Sequence, residues 1–161
     1  MGTQQVTRVV LMAEDDEDDL LLVKAAFAAS GLPVELRSVS DGDELIEYLS
    51  HLNKFANPYL SPIPSLILLD LNMPKKDGRQ ALAEIKAHPN FGQIPVVVLT
   101  TSSDTADIWA CHELGASSFV TKPNNFEALV NLVKAMGEEW LDTVETPGYN
   151  STVELESETC G

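Results

Sequence analysis

The run Leu66-Ile67-Leu68-Leu69 is apolar at every position and stops at Asp70, after which Asn72-Met73-Pro74-Lys75-Lys76-Asp77-Gly78 breaks any regular element. A short, fully apolar run closed by Pro and Gly is the pattern of a strand buried on both faces, a condition met mainly in parallel sheets covered by helices. The rest of the chain keeps this rhythm. Strand-like runs at 8–13, 34–39, 65–70, 95–100 and 117–121 alternate with helical segments at 17–30, 42–52, 78–87, 104–114 and 125–142. Strand followed by helix, repeated in this way, predicts a doubly wound parallel α/β sheet. Val34-Glu35-Leu36-Arg37-Ser38-Val39 alternates apolar with polar, which assigns it to an edge and the other strands to the centre. Asp41 and either Ser103 or Asp104 are placed to cap the second and fourth helices, and Gly31 and Gly115 follow the first and fourth.

At 161 residues and 44% apolar content the chain can bury one core. A single domain is therefore expected over residues 1–142, with 143–161 as an acidic, flexible tail. The formal charge of -15 excludes a nucleic-acid partner, since phosphate contacts need clustered Lys and Arg. No stretch resembles a secretion signal or reaches the length needed to span a bilayer, so no membrane association and a cytoplasmic location are expected. Cys111 and Cys160 have no metal-site or disulfide spacing and are read as reduced bystanders. The Pro-rich segment 53–65 is read either as a docking surface or as an ordered spacer.

In open α/β sheets ligands bind beyond the carboxyl ends of the strands. Here those ends carry Glu14 and Asp15, Asp70, Thr100 and Lys122. Glu14 opens a run of six acids ending at Asp19, and Asp16 to Asp19 are assigned to the cap and first turn of the first helix, where the helix dipole favours negative charge. Glu14 and Asp15 instead face Asp70, and three crowded carboxylates raise one another's pKa unless a cation compensates. Hard oxygen donors without His or Cys select Mg²⁺, with Asp15 and Asp70 as direct ligands. Such a rim suits phosphoryl transfer onto a carboxylate. Asp70 attacks, Mg²⁺ and Lys122 neutralise the transferring oxygens, and the Thr100 hydroxyl bonds one of them, giving an aspartyl phosphate.

Glu14-Asp15, the segment from Asp70 to Gly78, Thr100-Thr101-Ser102 and Lys122-Pro123, in this order over residues 7–142, resemble the receiver domain of two-component response regulators. The resemblance implies a flavodoxin-like (βα)5 doubly wound parallel sheet of strand order 2-1-3-4-5. It implies Mg²⁺ on Asp15, Asp70 and the main-chain carbonyl of Asn72, with Glu14 reaching the ion through water and Mn²⁺ or Ca²⁺ able to substitute. It also implies a sensor histidine kinase as phosphodonor, a cis peptide between Lys122 and Pro123, and Asn72 and Ser102 as the positions that tune hydrolysis. Thr100 and Phe119 would form the switch, with Phe standing where Tyr is frequent, so no phenol hydroxyl takes part. More narrowly, the Pro-rich segment, Asp70 to Arg79, Pro95 to Ser102 and Trp140 to Val144 are similar to stand-alone regulators paired with cyanobacterial phytochrome kinases.

No output module is expected, and signalling is expected to run through a downstream protein or a phosphotransfer partner. The last helix carries Val133, Met136 and Trp140 on a stripe wide enough for a second contact, and these are expected at a homodimer or effector interface built by the fourth helix, fifth strand and fifth helix. His51, His88 and His112 receive no catalytic role. Two other classes share features of this pattern. A flavin-binding module needs a phosphate-cradling loop after the first strand, which is acidic here. A haloacid dehalogenase-type phosphohydrolase needs an acid two residues after its nucleophile, where Asn72 stands. An unphosphorylated scaffold keeps the fold without the chemistry.

Overall fold

The computed structural model describes residues 8–73, 75–101 and 104–141. Five strands and five α-helices alternate: β1 (Arg8–Ala13), α1 (Glu17–Ser30), β2 (Val34–Val39), α2 (Gly42–Ser50), β3 (Leu66–Leu69), α3 (Gly78–Ala87), β4 (Val96–Thr100), α4 (Thr105–Glu113), β5 (Ser118–Thr121) and α5 (Phe126–Met136). The strands form one parallel sheet in the order β2-β1-β3-β4-β5. The alternation predicted a doubly wound parallel sheet, and this strand order is the flavodoxin-like one that the family resemblance implied.

The three central strands show why their sequences are apolar throughout. Successive residues of a strand face opposite sides of a sheet. Leu11, Ile67, Leu69, Val96 and Val98 enter one core with Leu45 and Tyr48 of α2 and Leu82 and Ile85 of α3. Their neighbours Val10, Met12, Leu66, Leu68, Val97 and Leu99 enter the opposite core with Val23 and Phe27 of α1 and Leu129 and Val133 of α5. Burial of both faces leaves no position for a polar side chain until the strand ends.

Several expectations are corrected by this arrangement. β5 is an edge strand like β2, half-buried at its first three residues and exposed at Thr121. The final helix does not run unbroken to 142: after Met136 the chain forms a π-type turn, Gly137–Leu141. Val133 and Met136 do not reach an outer face. They are buried because the α5 stripe packs on the sheet in the same core as Val23 and Phe27 of α1, while Trp140 is half-buried at the rim of that core. The Lys122–Pro123 peptide is trans, the isomer that X-Pro bonds favour intrinsically, rather than cis. The 143–161 tail lies outside the described residues.

Helix ends follow sequence signals. Asp16 caps α1 by accepting from the Asp18 and Asp19 amides, Asp41 caps α2, Asp104 caps α4, and Gly31 closes α1 at φ 76°. The 53–65 segment is ordered by three side chains that hold its main chain. Tyr48 Oη donates to the Pro62 carbonyl at 2.8 Å, a ring nitrogen of His51 lies 2.8 Å from the Ser61 carbonyl, and Arg37 donates to the Leu60 carbonyl.

Gly42, the first residue of α2, abuts the loop after β3: a Cβ built there would collide with the Lys76 main-chain carbonyl. Gly42→Ala is expected to lower stability by about 1–3 kcal/mol through forced separation of these backbones. Gly31→Ala meets open space, strains only the positive φ, and is expected to cost about 1 kcal/mol. Urea titrations of both variants check the order, and equal losses would contradict the close contact.

Candidate functional site

The parallel ladder itself delivers the functional groups to one rim. Beyond the strand ends, the Glu14 amide donates to the Val39 carbonyl, the Asp70 amide to the Ala13 carbonyl and the Lys122 amide to the Thr100 carbonyl, at 3.0, 3.1 and 2.8 Å. Each bond extends the sheet by one residue and fixes where the next side chain leaves it. Gly78 holds the rim from the other side, since a Cβ there would meet the Asp70 carbonyl oxygen at 2.6 Å. Asp77 caps α3 and closes a capping box with Gln80, so the α3 N-terminus packs directly behind the Asp70 backbone.

Glu14, Asp70 and Thr100 are buried, and Asp15 is exposed. Oxygens of Glu14, Asp15 and Asp70 all lie within 4.8 Å of one another. Lys122 enters from β5: its Nζ donates to Glu14 Oε1 at 2.6 Å and to Asp19 Oδ2 at 2.9 Å, and stands 3.9 Å from Asp70 Oδ2. The Asn72 amide donates to Asp70 Oδ1 at 3.3 Å, closing a short turn over the carboxylate.

Burial pushes the Glu14 carboxyl from its ordinary 4.5 up to about 7, with the Asp70 charge adding to the rise and the Lys122 hydrogen bond opposing it. For Lys122, burial favours the neutral amine, but hydrogen bonds to Glu14 and Asp19 and the Asp70 charge outweigh it and hold the pKa above the ordinary lysine value. The rim therefore carries more buried negative charge than its one ammonium satisfies. A hard divalent cation fits this donor set, because it is oxygen-only and compact and still lacks compensating charge.

Glu14, Asp15, Asp70 and Lys122 meet at this rim, and Thr100 is the buried last residue of the adjacent strand β4. Ser102 lies outside the described residues, and Asn72 is exposed beside Asp70. Phe119 is not at the rim. It sits on β5 opposite Val98 and lines, with Ile108, Trp109 and His112, a groove of about 330 Å³ between α4 and β5. Asp19 was assigned to the helix dipole by sequence reasoning, yet it bonds Lys122. Its place in the first turn of α1, five residues after Glu14, was the available signal.

The family model described as the response regulator receiver domain matches residues 10–134. Response regulator Rcp1 of Synechocystis is 42% identical over 140 residues, covering 87% of this chain and 93% of Rcp1. The crystal structure of the phosphorylated cyanobacterial phytochrome response regulator RcpA superposes with TM-score 0.79 at 41% identity, covering 89% of this chain and all of that one. The Mn²⁺-bound form of Rcp1 gives TM-score 0.75 at 41% identity, over 88% of this chain and 99% of that one.

Because Glu14 has a raised pKa in the folded state, the stability it contributes is fully present below pH 4.5 and is lost as pH rises through about 7. Metal-free native protein is therefore expected to lose up to about 3 kcal/mol more than Glu14→Gln across that window, and millimolar Mg²⁺ to reduce the difference. Denaturant melts at stepped pH measure it. Parallel pH profiles for the two proteins would contradict the buried-charge account.

Proposed function

The chain belongs to the response regulator receiver domain family, and from that membership we propose that it accepts a phosphoryl group on Asp70 from a sensor histidine kinase of phytochrome type. The observation that carries this reading is the convergence of the Glu14, Asp15 and Asp70 carboxylates with the Lys122 ammonium at the carboxyl rim of the sheet. The likeness to Rcp1 and RcpA supports the phytochrome assignment of the donor.

In the proposed step an Asp70 carboxylate oxygen attacks the phosphorus of a phosphohistidine. An O–P bond forms as the N–P bond breaks, and the departing imidazole nitrogen keeps the electron pair and takes up a proton. Lys122 pairs with a phosphoryl oxygen, and the Thr100 hydroxyl, at the end of the adjacent strand, donates to another. Asp15, Asp70 and the Asn72 main-chain carbonyl would hold Mg²⁺, with Glu14 reaching it through water. The chemistry such an ion supplies is neutralisation of the phosphoryl charge. By the family resemblance, Asn72, exposed beside Asp70, and the position of Ser102 in the sequence set the rate at which water removes the group.

Thr100 lies one ladder position beyond Leu99, and Phe119 lies on the neighbouring strand, so movement of Thr100 toward a phosphoryl oxygen is transmitted to the α4–β5 groove. That groove, with Trp109 61% exposed, is the proposed contact for a second copy or a downstream protein. Val133 and Met136 take no part in it. No helix among the described residues is long and apolar enough to cross a membrane, and the proposed place of action is the cytoplasm.

Incubation with Mg²⁺ and a small phosphodonor is expected to add one phosphoryl group to the native chain and none to Asp70→Asn, read by intact mass. Addition to both would move the acceptor elsewhere, and addition to neither would favour a scaffold. Light scattering of the phosphorylated protein is expected to show a dimer that Trp109→Ala weakens by about tenfold, as for an exposed aromatic anchor. An unchanged association would remove the groove from the interface.

A further inference from the structure

Asp16 already accepts the amides of Asp18 and Asp19 at the start of α1, and Glu17 and Asp18 supply further negative charge in the same turn. The Asp19 carboxylate is not needed as a cap. It turns instead to the rim and accepts from Lys122 Nζ at 2.9 Å. An ammonium has three donors. Two are taken by Glu14 and Asp19, and the 3.9 Å separation from Asp70 is too long for a third bond. The Asp19 side chain is 36% exposed, whereas that of Glu14 is fully buried, so Lys122 is held between one fixed partner and one at the solvent edge.

We propose that Asp19 is a positioning residue that holds the Lys122 ammonium back from Asp70 until a phosphoryl oxygen competes for it. The inference rests on the phosphoacceptor reading of Asp70. An incoming phosphoryl oxygen can take the third donor, but drawing Nζ toward Asp70 stretches the bond anchored on α1 at Asp19, so that bond opposes occupancy of the site. Because Asp19 is in the first turn of α1, the opposition is set by helix placement and not by the strands that carry the reacting groups. Its removal leaves the α1 cap, the central strands and both cores untouched.

The test is binding of beryllium trifluoride, a phosphoryl mimic, in saturating Mg²⁺, followed by fluorine NMR in the native chain, Asp19→Asn, Asp19→Glu, Lys122→Gln and the Asp19→Asn/Lys122→Gln double variant. Asp19→Asn is expected to bind about three- to fivefold more tightly than native, the scale of a partly exposed charged pair, and Asp19→Glu to return toward native. The gain is expected to vanish in the Lys122→Gln background, since Asp19 acts through that side chain. A gain of equal size in both backgrounds would show direct repulsion of the anion and overturn the positioning role, as would native affinity in Asp19→Asn. Absence of binding to the native chain would instead overturn the phosphoacceptor reading on which the inference stands.

Discussion

Glu14 and Asp70 are buried side by side at the ends of adjacent strands, and a single ammonium stands nearest them, bonded to Glu14 at 2.6 Å and 3.9 Å from Asp70. Like charges brought together out of water are costly, and the sheet tolerates them only because Lys122 is delivered from β5 to the same spot. The strand order follows from this need as well as from packing. β1 and β3 must be neighbours to juxtapose the acids, and β4 then carries Thr100 between them and the lysine strand. The residual negative charge suits the rim to a cation, and a cation held there would, together with the lysine, suit it to an anion.

Most of the frame was legible in the sequence because burial on two faces and burial on one face leave different residue patterns. Leu66 to Leu69 and Val96 to Leu99 have no polar interruption, and they are central; Val34 to Val39 alternates, and it is an edge. β5 was misassigned for a physical reason. Ser118-Phe119-Val120-Thr121 is too short to show alternation, and its exposed flank is partly covered by α4, so an edge strand there carries the composition of a central one. The four strand-end groups were legible because a strand end fixes a position in space. Asp19 was not, because a helix-start acid satisfies the dipole whichever way its side chain turns.

The α5 stripe shows the limit of periodicity. Val133, Met136 and Trp140 recur at helical spacing, but the pattern alone does not distinguish a stripe facing the core from one facing a partner. The α1–α5 packing consumes the first two. On α4, Ile108 and Trp109 stand exposed above Phe119 on a helix whose one fully buried side chain is Cys111. A helix with one deep anchor is loosely attached to its sheet.

The three side chains that secure the 53–65 segment, Tyr48, His51 and Arg37, all bind carbonyl groups of its main chain. Nothing in that arrangement specifies which side chains the segment displays, and Tyr59, Leu60 and Ile63 point outward. Where the grip is on backbone, at Leu60, Ser61 and Pro62, exposed residues can drift while their placement is preserved, whereas Phe55, packed against Tyr48, and Lys54, paired with Glu44, are held by their side chains. The segment can acquire a new surface chemistry by substitution without renegotiating the sheet, and the residues at the far rim would not register the change.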